Sequence, residues 1–102
     1  MGMNPMQQMA MRLHKIQKEL EKAEAELNVK EFKVSKNGMV TITVLGSKEV
    51  KSVEIDKDAF DADNQDMVQE AIVLALNEAF AQIDKEVEEY NERIKGNTGG
   101  MF

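Results

Sequence analysis

The chain contains no cysteine, one proline and one histidine, and aromatic residues make up only 5% of it. Each shortage removes a class of explanation. Without cysteine there is no disulfide, no thiolate nucleophile and no thiolate metal site. No apolar run approaches the roughly 18 residues of a membrane span. The start lacks the basic end and unbroken apolar segment of a signal peptide. A cytoplasmic protein with no membrane partner is therefore expected. With 102 residues there is enough chain for one domain, assigned to residues 1–95, with a disordered tail over 96–102. The scarcity of aromatics limits the core and makes self-association a plausible source of stability.

Chemistry is as thinly supplied. His14 falls off the apolar side of its helical pattern and reads as an exposed side chain rather than a base. Ser35, Ser47 and Ser52 have no identifiable base beside them. The carboxylates at Asp56, Asp58, Asp61, Asp63 and Asp66 invite a calcium reading, but counting from Asp61 puts Asp66 where the loop needs glycine and Ile72 where it needs glutamate. They read instead as caps and loop residues. No glycine-rich phosphate loop precedes a helix; Gly99-Gly100 lies in the tail. No enzyme, cofactor, metal site or small-molecule substrate is expected.

What is abundant is heptad pattern. Met6, Met9, Leu13, Ile16, Leu20, Ala23 and Leu27 recur at steps of three and four, and Val73, Leu76, Phe80, Ile83, Val87, Tyr90 and Ile94 do the same. The first series predicts a helix opening at Pro5, the second a helix over Met67–Lys95. Val68, Ala71, Ile72, Ala75 and Ala79 widen the apolar face in the first half of that second helix. A wide face suits burial on a sheet, a narrow one suits a single partner helix. At 1.5 Å per residue about 30 residues span roughly 45 Å, more than the diameter of a compact chain of this length. Part of the helix must project as an arm. Leu13, Ile16, Leu20, Phe80, Ile83, Val87 and Tyr90 are the candidates for packing the arm or a dimer.

Between the helices the period is two. Phe32 and Val34, then Val40, Ile42 and Val44, then Val53 and Ile55 mark three half-buried strands. Asn37-Gly38 suits a tight type I′ hairpin, and Gly46-Ser47 is expected to join the next pair similarly. Val50 is out of phase with Val53, which predicts a bulge or a late strand start near Lys51. Phe60 is expected to plug the edge between sheet and helix, and Asp63 or Asn64 to cap the second helix. The fold class is α+β: an α-β-β-β-α protomer, a three-stranded antiparallel meander with two long helices.

The net charge of −6 is uneven. Residues 1–57 hold ten cations and eight carboxylates, residues 58–102 three and eleven. Arg12, Lys15, Lys18 and Lys22 fall within an arc of about 120°, centred some 135° from the apolar seam. They can face solvent while the seam is buried, and a row of cations can follow phosphates. Lys30, Lys33, Lys36, Lys48 and Lys51 extend the positive charge over the strands. Glu19 and Glu26 leave open an ordinary salt-bridged face. No aromatics interleave with the cations, so single-strand stacking is not expected.

The opening Met-Asn-Pro-Met-Gln-Gln-Met, the strand Val-Lys-Ser-Val-Glu-Ile-Asp at 50–56, Ala-Leu-Asn-Glu-Ala at 75–79 and the closing Gly-Gly-Met-Phe resemble the YbaB/EbfC family of bacterial nucleoid-associated proteins. The resemblance implies a tweezer-like homodimer with projecting helical arms that binds duplex DNA in the cytoplasm and nucleoid. Lys57 stands where the family commonly has proline, and Lys30-Glu31-Phe32-Lys33 replaces a glycine-rich approach to the first hairpin. The alternative is a nucleic-acid-free interaction or chaperone-like module that clasps a partner between its arms.

Overall fold

The computed structural model describes residues 2–96. Helix α1 spans Pro5–Asn28, strands β1, β2 and β3 span Glu31–Lys36, Val40–Leu45 and Val50–Ile55, and helix α2 spans Gln65–Gly96. Two 3-10 turns, Lys57–Ala59 and Ala62–Asn64, join β3 to α2. The α-β-β-β-α order and the antiparallel β1-β2-β3 meander are those expected from the periodicities. Gly96 closes α2; residues 97–102 of the expected tail lie outside the described residues.

Local chemistry sets the element ends. Asn4 caps α1: its side chain accepts the Gln7 N–H at 2.8 Å, and the Gln7 side chain accepts the Asn4 N–H at 3.2 Å. This reciprocal box, with Pro5 behind it, satisfies two donors that would otherwise lack partners. Asn37 and Gly38 both take positive φ, 56° and 66°, as the first hairpin requires. The second hairpin departs from expectation. Its left-handed residue is Lys48, at φ 72°, not Gly46. The Lys48 N–H donates to Leu45, closing a three-residue loop. In the β2–β3 register Thr43 faces Ser52 and Val44 faces Val50, so Lys51 is the extra residue of the predicted bulge.

The core lies between one sheet face and α2. Phe32 and Val34 of β1 and Val40, Ile42 and Val44 of β2 are buried there, with Ala71, Ala75 and Ala79 of α2 wholly covered. Small residues every fourth position let the helix axis lie close on the strands, and β-branched side chains fill the gap. Burying side chains of this kind stabilises by about 1.5–3 kcal/mol each.

Gly46 explains how α1 joins this body. A Cβ there would sit 1.8 Å from the Leu27 carbonyl oxygen. The Gly46 N–H donates to Lys30 O at 2.9 Å, and Leu27 is buried. The end of α1 is thus seated directly on the β2–β3 turn, and only glycine admits that approach.

From this seat α1 runs antiparallel beside the second half of α2. A crevice lined by Ala23, Leu27, Tyr90 and Arg93 puts Arg93 beside Ala23. Gly96 therefore lies about level with Leu20, and α1 overhangs it by roughly 22 Å. The extents are 76 × 20 × 13 Å and the radius of gyration is 20.5 Å. A compact chain of this length would have a radius near 13 Å. The projecting arm is real.

Candidate nucleic-acid interface

Thirteen cations are available to this acidic chain, and the fold treats them differently. Around the sheet they are consumed. Lys30 pairs with Glu86, Lys36 with Glu78, Lys51 with Glu31, and Lys48 with Asp84 at 2.8 Å. Lys30 also lies 5.2 Å from the centre of the Phe32 ring. The hydrogen bond from Lys51 and its positive charge hold the Glu31 carboxyl below its usual value. The strand cations that extended the positive surface in the sequence therefore carry local partners; exposed Lys33 is in no ion pair among the described residues, though its charge also helps to lower Glu31.

On α1 the situation is reversed. Arg12, Lys15, Lys18 and Lys22 are all exposed, and none takes part in an ion pair among the described residues. Glu19 and Glu26 do not bridge to Lys15 and Lys22. The four cations step along the helix by three, three and four residues, so they form a row about 15 Å long. On the helix they are centred about 135° from the apolar stripe, and Lys22 at the inner end of the row lines a crevice with Arg93 and Ile94 of α2. Such a row, free of internal partners and on a rigid capped helix, can neutralise successive phosphates without first breaking a contact within the protein.

The packing candidates divide along the chain. Ile16 and Ile83 are buried; Leu20, Phe80, Val87 and Tyr90 are half-buried; Leu13 is 47% exposed. Val87 and Tyr90 pack against the core cluster together with Phe80. Met6 and Met9, earlier in the same seam, are 83% and 55% exposed.

Phe60 corrects an expectation. It is 73% exposed on the connection to α2 and plugs nothing. It forms one wall of an open, largely apolar pocket of about 440 Å³, with Ile55, Ala59 and Val68 among the others. The two 3-10 turns hold it outward. Asp56 caps the first by accepting the Asp58 N–H, and Asp61 caps the second by accepting the Asp63 N–H, both at 2.9 Å. That is the use of these carboxylates. Among the described residues no three metal-ligating side chains gather, and no helix is long and apolar enough to cross a membrane.

A second bare surface escaped sequence reasoning. α2 lies over β1 and β2 but barely over β3. Val50 and Val53 of β3 consequently stand 43% and 46% exposed. On α2, Val73, Phe80 and Asp84 fall within about 40° of one another. Asp84 reaches Lys48 in the β2–β3 turn, so this flank is the one beside β3. Val73 is 56% exposed. An apolar strip of Val50, Val53, Val73 and the half-buried Leu76 and Phe80 thus runs along one side of the body. Alternation along a strand identifies its apolar face. It does not say where a helix will lie across that face.

Comparison with known proteins agrees with this architecture. The profile of the YbaB/EbfC DNA-binding family matches residues 2–101. The chain belongs to that family. A nucleoid-associated protein of Enterococcus faecalis is 40% identical over 88 residues, covering 85% of each chain. One from Metamycoplasma arthritidis is 37% identical over 93 residues, covering 91% of this chain and 94% of its own. The crystal structure of an uncharacterized Helicobacter pylori protein superposes with a TM-score of 0.64 at 24% identity, covering 97% of this chain and all of that one. That likeness concerns the fold. YbaB/EbfC is a DNA-binding family and not an enzyme family, which gives the α1 cations a relevant ligand class.

Proposed function

We propose that the chain acts as a bacterial nucleoid-associated homodimer that binds duplex DNA mainly through phosphate contacts, in the cytoplasm at the nucleoid. The observation that carries the reading is the division of cations: Lys30, Lys36, Lys48 and Lys51 around the sheet are paired with carboxylates, while Arg12, Lys15, Lys18 and Lys22 are in no ion pair among the described residues. The strip along β3 and α2 supplies the dimer surface. A two-fold pairing of that strip with itself buries Val50, Val53, Val73 and Phe80 of both copies, and leaves both arms projecting like tweezers.

The acidic character of α2 is compatible with this: Arg12, Lys15 and Lys18 lie on the length of α1 that overhangs Gly96, beyond the carboxylates of α2, while Lys22 borders α2 beside Arg93 and Ile94. Among the described residues no element is shaped to read bases, so sequence preference is secondary to phosphate contact.

Fluorescence anisotropy with a short duplex tests the reading. Wild type is expected to bind with affinity falling steeply as salt rises, by a log–log slope near −0.9 per neutralised phosphate. The variant carrying Arg12→Glu, Lys15→Glu, Lys18→Glu and Lys22→Glu is expected to lose binding while keeping its melting temperature. Wild-type affinity in that variant would remove α1 as the contact surface.

A further inference from the structure

We propose that the outer end of α1 is a weak self-association surface through which two dimers join arm tip to arm tip. Met6, Met9 and Leu13 are 83%, 55% and 47% exposed. They continue the stripe that includes the buried Ile16 and Leu27, so the tip repeats a packing pattern already satisfied further down the same helix. Nor is it a fraying end: the box between Asn4 and Gln7 fixes the first turn. A rigid, capped helix with a bare heptad stripe is suited to another helix.

Charge identifies the occupant as a second copy. The protein carries −6, so most faces of two copies repel. Residues 2–11, Gly-Met-Asn-Pro-Met-Gln-Gln-Met-Ala-Met, have no ionisable side chain. This is the stretch where two acidic molecules can meet without opposing charge. Antiparallel pairing about Met9 sets Met6 of each helix near Leu13 of the other, over about two turns. Arg12 and Lys15 then lie beside the neutral residues of the opposite tip, and the helix dipoles oppose. The flexible thioethers adapt to small errors of register.

Size sets the strength. Three such side chains cover on the order of 300 Å² per copy, against ~800 Å² per partner in a stable interface. The contact is therefore transient in dilute solution and populated where dimers are concentrated, as along a duplex. On the DNA-binding reading above, it bridges two duplex segments.

Sedimentation without DNA tests the contact independently of that reading. Wild type is expected to move from its dilute mass towards twice that mass as concentration rises from micromolar to millimolar. The Met6→Gln/Met9→Gln variant keeps length, charge and helix propensity but removes the apolar stripe; its association should weaken at least tenfold. Met6→Leu/Met9→Leu should behave as wild type. With DNA, wild type should make an immobilised duplex capture a second labelled duplex. The Gln variant should not, although it binds a single duplex equally well. A wild type that keeps its dilute mass at millimolar concentration overturns the proposal, as does a Gln variant that associates normally. Failure to bind any duplex counts against the DNA reading alone and leaves the sedimentation result to decide this one.

Discussion

The body and the arm of this molecule are made of the same two helices put to different uses. In the body, Ala71, Ala75 and Ala79 lie flush on a sheet whose Ile42 and Val44 are wholly covered, and Lys30, Lys36, Lys48 and Lys51 are tied to carboxylates. In the arm, α1 shares a narrow seam with α2, the apolar side chains of its outer end are exposed, and its four cations form no ion pair among the described residues. A small core can be dense or long, not both. The chain concentrates burial at one end and spends the other on reach. Stability belongs to the first region, and the proposed DNA contacts to the second.

Substitutions in each region should separate the two. The largest effect is expected from Ile42→Ala, which empties a fully buried site on the central strand; chemical denaturation should show a loss of about 2–5 kcal/mol. Gly46→Ala acts where the regions meet. Its methyl must displace the Leu27 carbonyl, so a loss of about 1–3 kcal/mol is expected. Faster amide exchange at Gly46, whose N–H donates to Lys30, would accompany it. If the variant were as stable as wild type, the arm would not be seated on that turn. The four α1 charge reversals should change stability by only about 0.5 kcal/mol, because all four side chains are exposed and in no ion pair among the described residues. A large drop would contradict the separation.

The smallest effect concerns Lys51. Its removal should return the Glu31 carboxyl towards the ordinary carboxylate range, measurable by NMR titration. Because Glu31 is lowered in the fold, its contribution is present above the unfolded value and lost as pH falls through the lowered one. Both side chains are half-exposed, so any change in stability with pH should be slight.

Much of this was readable from residue spacing. The helices and strands follow from periods of 3.5 and two, the first hairpin from Asn37-Gly38, and the bulge at Lys51 from Val50 standing out of phase. Those signals are local. What escaped depends on contacts distant in the chain. Gly46 looks like a turn residue and is the seat for Leu27. Phe60 looks like a core residue and points outward because two capped turns carry it away. The strip along β3 exists because α2 is offset towards β1, a lateral placement no periodicity encodes. The α1 cations were visible as a row, but whether Glu19 and Glu26 would occupy them was decided only in three dimensions. The Asn4 cap could have been found from Asn-Pro-x-Gln at the helix start.

The central claim is that the bare strip of the body joins two copies, so that two arms act together. Sedimentation equilibrium of the purified protein at low micromolar concentration tests this most directly. The expected particle has twice the 11.5 kDa chain mass, and Val73→Glu/Phe80→Glu should halve it while the helical content persists. A wild-type particle of 11.5 kDa under those conditions would contradict the account.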